Sequence, residues 1–296
     1  MIVITAPTGN IGRHLLPLLL ASDAAHEEVR VIVRDPARLP RAVRERVEVV
    51  TGSHGDADVV DRAFEGADAV FWLVPPDASL TPDDAYRGFT RPAANALVTH
   101  GVGHVVGVSA LGRGTPVADR AGLVTASLAM DDLIADTGVS YRALANPSFF
   151  ENLLEEVDAI RERGVFTDAA DADRKAPRVA VADIAAVAAG LLLERSWTGT
   201  DSVPVVGPQE LSPNDLARIM TEQLGRPVRY APQTFDELYA DLVGYRLNEA
   251  FARGVVDMKR AKDEGLDAGV ARTPGAAAPT TFEQWCVQVL KPAVLA

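Results

Sequence analysis

The first twenty residues, MIVITAPTGNIGRHLLPLLL, constrain the fold more than any other stretch. Residues 1–6 form a short apolar run rich in β-branched side chains, which predicts a buried strand. Ala6, Gly9 and Gly12 follow at three-residue spacing, and an apolar helical pattern runs from about Asn10 to residue 22. Strand, glycine turn and helix in this order form a cradle for a dinucleotide pyrophosphate. Gly9 lets the backbone approach the phosphates, Gly12 lets the helix pack closely, and the helix N-terminus offers free N–H groups. Ala6 stands where the usual pattern has its first glycine. Alanine lacks glycine's freedom, so the expectation is an unstrained turn with negative φ. Pro17 lies inside the helix and is expected to bend it slightly.

Strand and helix alternate through the first half. Strands are predicted at 1–6, 29–33, 47–51, 68–74, 104–109 and 139–145, with helices near 10–22, 57–66, 83–100 and 121–137. This predicts an α/β fold, a doubly wound parallel sheet. The pattern changes after residue 148. An amphipathic helix is expected over 149–163 and a helix over 183–194 capped by Asp183. A strand is expected at 202–207, then a helix from Ser212 to Leu224 with Pro213 at its first position. Helices near 234–243 and 246–264, a Gly/Pro/Ala linker at 274–279 and a last helix from Thr281 complete the chain. The domain expectation is therefore a nucleotide-binding domain over 1–147. A small, mostly helical C-terminal substrate-binding lobe follows over 148–296, with some segments returning to the sheet.

Composition narrows the function classes. The formal net charge of −12 argues against nucleic acid and anionic membranes as direct partners. A single cysteine, Cys286, excludes an intramolecular disulfide and a cysteine-cluster metal site, so no metal is expected. Cys286 itself reads as a buried packing residue. No signal peptide or bilayer-length apolar run is evident, so a cytoplasmic monomer or homodimer acting on a small molecule is expected.

Six segments carry a family resemblance: ITAPTGNIGRHLLPLLL, VIVRDPARL, VVGVSALG, NPSFFENLL, VAVADIAAVAAGLL and GPQELSPNDLARIMTEQLGRPVRY. Over nearly its whole length the chain resembles the NmrA-like branch of the atypical short-chain dehydrogenase/reductases, which are NAD(P)-binding Rossmann proteins. The branch holds reductases, quinone-directed oxidoreductases and cofactor-sensing regulators without turnover. The cofactor contacts expected from topology and resemblance begin with Thr8, Gly9, Asn10, Ile11 and Gly12. Arg34 and Arg38 follow the second strand. A guanidinium pairs a 2′-phosphate bidentately, so NADP (NADPH) is the expected cofactor, with Asp35 keeping NAD as the alternative. Gly52 and Ser53 belong at the adenine end, with His54 beside them. Leu73, Val74 and Pro75 should pass the central ribose and diphosphate. Ser109 and Ala110 belong beneath the nicotinamide, and Asn146, Pro147, Ser148 and Phe149 form its flanking loop.

Related reductases use a Tyr-x-x-x-Lys pair on the fifth helix as proton donor and ribose anchor. Counted back from Tyr141, those slots hold Leu123 and Ser127, so both groups are missing. Ser109 and Tyr86 are the remaining candidate catalytic hydroxyls. Asp131 and Asp132 read as a solvated helix face, and His14 as a packed or exposed helix residue. Trp72, Phe149 and Phe150 suggest an apolar wall for a flat substrate. The expected function is an NADPH-dependent oxidoreductase passing hydride to a conjugated or aromatic small molecule, quinone-like or polyketide-like. The alternative is a non-catalytic NAD(P)-sensing regulator.

Overall fold

The structure is a computed structural model that describes residues 1–21, 27–271 and 278–296. Seven strands form one parallel sheet in the order β10-β6-β5-β4-β1-β2-β3. They are β1 (Ile2–Thr5), β2 (Val29–Val33), β3 (Glu48–Thr51), β4 (Ala69–Trp72), β5 (His104–Ala110), β6 (Ser140–Asn146) and β10 (Thr200–Pro204). β1, β2 and β4 are buried along their whole length, because helices cover both faces of a parallel sheet. The expected α/β doubly wound Rossmann architecture is what the chain adopts.

Successive strand residues point to opposite faces, which splits the core in two. On one face α1 (Gly12–Ala21) and α7 (Val181–Leu193) pack Leu15, Leu16, Ile184 and Leu192 against Ile2, Ile4 and Phe71. On the other, α3 (Ala57–Phe64), α4 (Phe89–Thr99) and α5 (Leu123–Ala135) pack Phe64, Leu97, Met130 and Ile134 against Val3, Val70 and Trp72. Short α2 (Arg41–Arg44) bridges β2 and β3. The chain order reverses between β1 and β4, so a crevice opens at their carboxyl ends. Thr5 braces it: its hydroxyl donates to the Phe71 carbonyl at 2.9 Å and accepts from the Leu73 N–H at 3.0 Å.

The rest of the chain builds a lobe. It holds β7 (Ser148–Phe149), β9 (Ala176–Val179) and β11 (Glu210–Leu211) in one small sheet, with β8 (Val165–Asp168) paired to β12 (Arg229–Pro232). Around them lie α6 (Val157–Arg163), α8 (Pro213–Leu224), α9 (Phe235–Gly244), α10 (Glu249–Asp263), α11 (Phe282–Trp285) and α12 (Lys291–Leu295). Phe150, Phe166, Met220, Phe282, Trp285 and Cys286 form its apolar core. Burial pushes the Cys286 thiol up to about 12, which leaves it a packing group. Ser212 caps α8 with a reciprocal bond to Asp215, and Pro213 takes the first helical position, as expected. No helix among the described residues is long and apolar enough to cross a membrane.

Several local expectations are corrected. Residues 149–163 are not one helix: Ser148 and Phe149 pair beside Arg178 and Val179, 3₁₀ turns run over 150–156, and only α6 is α-helical. Asp183 does not cap α7. The helix starts two residues earlier, the buried Glu151 carboxylate accepts the Val181 N–H at 3.1 Å, and Asp183 instead holds Thr280 through two hydrogen bonds. The strand expected at 202–207 is Thr200–Pro204. The fourth helix opens with a wider turn over Asp84–Gly88 ahead of Pro92, which has no N–H to give the Gly88 carbonyl. Linker residues 274–277 and the end of the first predicted helix at 22 lie outside the described residues.

Candidate functional site

The glycine turn is built differently from expectation at one atom pair. Ala6 has φ +48°, in the left-handed region, so the negative-φ expectation is overturned. The reason is the turn it closes: the Ala6 carbonyl accepts the Gly9 N–H at 3.0 Å. A left-handed alanine costs about 1–2 kcal/mol, which the surrounding packing must supply. Gly12 is obligatory on steric grounds. A Cβ there would lie 2.2 Å from the Ala6 oxygen and 2.8 Å from the Pro7 Cα. The α1 start is thus drawn against the turn, with its free N–H groups at the crevice.

A cleft of about 690 Å3 opens from this turn. Thr8, Gly9, Asn10 and Ile11 form one wall; Arg34, Asp35, Arg38, Gly52, Ser53 and His54 line the far end; Leu73, Pro75 and Phe149 close the near end. Asp35 spends a carboxylate oxygen on the Ala37 N–H at 2.9 Å, capping the short turn that carries Arg38. His54 is buried, its Nε2 is 2.9 Å from the Leu73 carbonyl, and burial lowers its pKa to about 4. Its ring stands edge-on to Trp72 and Phe89, so it is a neutral wall of this cleft.

A second cavity of about 370 Å3 adjoins the cleft and shares Ile11, Leu73 and Phe149 with it. Its walls include Val74, Tyr86, Ser109, Ala110, Asn146, Pro147 and Ser148. Leu123 and Ser127, at the slots of the missing pair, also line it. Asn146 donates through Nδ2 to the carbonyls of Ser109 and Leu144, at 3.1 and 2.7 Å, while its buried Oδ1 has no partner. Burial pushes the Tyr86 phenol up to about 12, so it keeps its proton at neutral pH.

Beneath Ser109 lies a group that the sequence pattern places in solvent. Asp131 is 4% exposed, which overturns that expectation. Its carboxylate accepts from Ser109 Oγ at 2.5 Å and from Tyr141 OH at 2.6 Å. Arg113 Nη2 lies 3.6 Å away and Nη1 binds Asp132 at 2.8 Å. Desolvation dominates, so the Asp131 pKa rises from 3.8 to about 6 despite these donors. Only Asp132 of the adjacent pair faces solvent, since consecutive helix residues point about 100° apart.

Two expected wall residues lie elsewhere. Trp72 is 2% exposed in the core beneath α3 and α4, with its Nε1 donating to Thr90 Oγ1 at 3.2 Å. Period-two alternation sends Val70 and Trp72 to that face and Phe71 to the other. Phe150 packs with Phe282 and Trp285 inside the lobe. Phe149 alone of the three lines the cavities. The sequence reading missed Met258, Lys259 and Lys262, which α10 brings from the lobe to the second cavity. Their helical spacing was visible, but their position over the sheet edge was not.

A family description, NAD(P)H-binding, matches residues 7–195, well over half of the chain. The chain belongs to that family. Its place is the NmrA-like branch of the atypical short-chain dehydrogenases, whose members bind NAD(P)H through this Rossmann frame. A (4-alkanoyl-5-oxo-2,5-dihydrofuran-3-yl)methyl phosphate reductase of Streptomyces griseus is 33% identical over 242 residues, 81% of this chain and 78% of the relative. Quinone oxidoreductase 2 of Escherichia coli is 28% identical, covering 91% of this chain and 89% of the relative. The structure of an Escherichia coli NADPH-dependent quinone oxidoreductase with NADPH matches with a TM-score of 0.75 at 25% identity, over 96% of this chain and 98% of that one. As a member of an NAD(P)H-dependent reductase family, the chain offers residues that fit the cofactor. It has a helix N-terminus behind a cleared glycine turn, two arginines at the far end, and an orphaned amide oxygen at the near end.

Proposed function

We propose that the protein is an NADPH-dependent oxidoreductase that reduces a conjugated or aromatic small molecule, with a quinone-like acceptor the best fit. One observation carries the reading: the cleft beside the glycine turn adjoins a second cavity, and Ile11, Leu73 and Phe149 line both. Thr8 to Gly12 would hold the diphosphate, Gly52 and Ser53 the adenine end, and Asn146 to Phe149 the nicotinamide side. Arg34 and Arg38 favour a 2′-phosphate, and Asp35 is already committed to the Ala37 N–H. When bound, the reduced cofactor supplies the hydride.

The protein's own part is orientation and one proton. Ser109 is the hydroxyl that meets the acceptor oxygen, and Tyr86 faces the same cavity. With Asp131 ionised, the Ser109 hydrogen is directed to the carboxylate, so the hydroxyl only accepts. With Asp131 protonated, Asp131 donates to Ser109 Oγ and Ser109 gives its own proton to the acceptor. Asp131 thus stands in for the missing pair, acting through Ser109 as a positioning and proton-supplying residue. The two slots themselves hold Leu123 and Ser127, neither of which is an acid.

The test is titration with NADPH and NADH, followed by a quinone panel read as loss of reduced-cofactor absorbance. Tight NADPH binding with quinone-dependent oxidation supports the reading. NADPH binding with no oxidation by any acceptor favours the sensor alternative.

A further inference from the structure

The second cavity does not end at Ser148. A smaller one of about 50 Å3 adjoins it against the lobe, and Ser148, Lys259 and Lys262 line both. That volume is several times what one water needs. Its lining is densely charged: Arg174, Arg178, Lys259 and Lys262 against Asp168, Asp263 and Asp267. Three of these cations are matched. Lys259 Nζ binds Asp168 at 2.7 Å, Arg174 Nε lies 3.3 Å from Asp263, and Lys262 Nζ binds Asp267.

Arg178 is the fourth cation. Among the described residues it makes no ion pair within 4 Å, and its buried Nε has no hydrogen-bond partner. Burial lowers its pKa, against the attraction of Asp168 and Asp267, and the side chain as a whole is half-buried with Nε its enclosed atom. Its position is fixed by strand pairing, because Arg178 sits opposite Ser148 in the β7–β9 register. The lining therefore carries one positive charge in excess, beside the cavity proposed for the substrate. One acceptor is also orphaned: Asp267 Oδ1 is buried without a partner. A water could bridge the two orphaned atoms, but it would leave the charge unmatched; an occupant that brings both negative charge for Arg178 and a hydrogen to donate answers both. A carboxylate meets the first demand only. A phosphate monoester, whose second pKa is near 6, meets both in its monoprotonated form.

We infer that this lobe-side cavity, built around Arg178 with Lys259 and Lys262 at its mouth, binds the phosphate group of a phosphate-ester substrate. The inference rests on the oxidoreductase reading for the word substrate, but phosphate binding is measurable without turnover.

The experiment titrates inorganic phosphate into the protein saturated with NADP, so that the cofactor's own phosphate sites are filled, with calorimetric detection. Wild type is expected to bind, and Arg178→Met to bind about thirtyfold more weakly or worse. The thermal midpoint of Arg178→Met should stay close to that of wild type, because no close ion pair is broken and only the longer-range attraction of Asp168 and Asp267 is lost. No phosphate binding by wild type, or equal binding by Arg178→Met, overturns the inference. A lowered midpoint with unchanged phosphate affinity assigns Arg178 a structural role and overturns it too. Should Arg178→Met not fold, Arg178→Gln removes the charge while keeping a polar side chain, and unchanged phosphate affinity there overturns the inference equally. Phosphate binding without NADPH oxidation by any acceptor favours the sensor alternative and leaves the site standing.

Discussion

Replacing Asp131 by asparagine isolates the charge of the buried carboxylate with little change of shape. The substituted amide can accept from Tyr141 through its oxygen and donate to Ser109 Oγ through its nitrogen, so both contacts seen in the structure survive. What disappears is an ionised group that the fold disfavours. The folded pKa is about 6 and the ordinary value 3.8. The preference for the protonated form is in full force below 3.8, fades as pH rises, and is gone above about 6. At about 1.4 kcal/mol per pH unit, ionisation costs the folded state about 3 kcal/mol at pH 8 and about half of that at pH 5. The groups facing the carboxylate, Ser109, Tyr141, Arg113 and more distantly Asp132, are already reflected in that pKa. Asp131→Asn is therefore expected to be more stable than wild type at pH 8 by up to about 3 kcal/mol, with a smaller margin at pH 5. Urea unfolding of both proteins at the two pH values, with unchanged slopes, measures this directly. In the reductase assay, wild-type kcat/KM should rise as pH falls through about 6, and the variant should lose both activity and that inflection. A variant destabilised equally at both pH values would refute the desolvated-carboxylate argument. A retained inflection near 6 would refute Asp131 as its source.

Three further outcomes follow from the geometry. Ala6→Gly should relieve the left-handed alanine and raise stability by about 1 kcal/mol or less, after the extra freedom of glycine in the unfolded chain is subtracted, as read by denaturant titration. Arg34→Glu should weaken NADPH by about thirtyfold while leaving NADH nearly unchanged in fluorescence titration, since only NADPH carries the 2′-phosphate. Glu151→Ala should cost about 2–4 kcal/mol in unfolding free energy, because it strands the Trp285 Nε1 and Val181 N–H donors that the carboxylate now accepts from at 2.9 and 3.1 Å.

The parts of this molecule that were legible in the sequence are those with local causes. Apolar runs spaced by helical segments, with a glycine turn after the first, specify a parallel sheet because each βαβ unit carries its own pattern. The start of α8 at Ser212 and Pro213 was readable for the same reason. What stayed hidden depends on distant partners. Glu151 caps α7 from thirty residues away, so the helix start at Val181 left no cap in its own sequence. Asp131 looked solvated beside Asp132. The clue lay in Ser109 and Tyr141, inward-facing polar residues on neighbouring strands that needed a common acceptor. Trp72 and Phe150 had aromatic character that suits a substrate wall, but a fully buried strand conceals which face Trp72 takes, and Phe150 lies in a 3₁₀ turn whose direction is set by the lobe packed around it. Lys259 and Lys262 could be placed on a helix, yet nothing local said that the helix crosses the sheet's carboxyl edge.

The wall common to the two cavities, Ile11, Leu73 and Phe149, bears on the kinetic order of the enzyme proposed here. A molecule in the second cavity would rest on whatever fills the cleft beside it. Until the cleft is filled, the second cavity lacks one side. Such a layout favours an ordered sequence, cofactor first to arrive and last to leave. Excess acceptor would then hold the spent cofactor in place, and turnover would fall at high acceptor concentration.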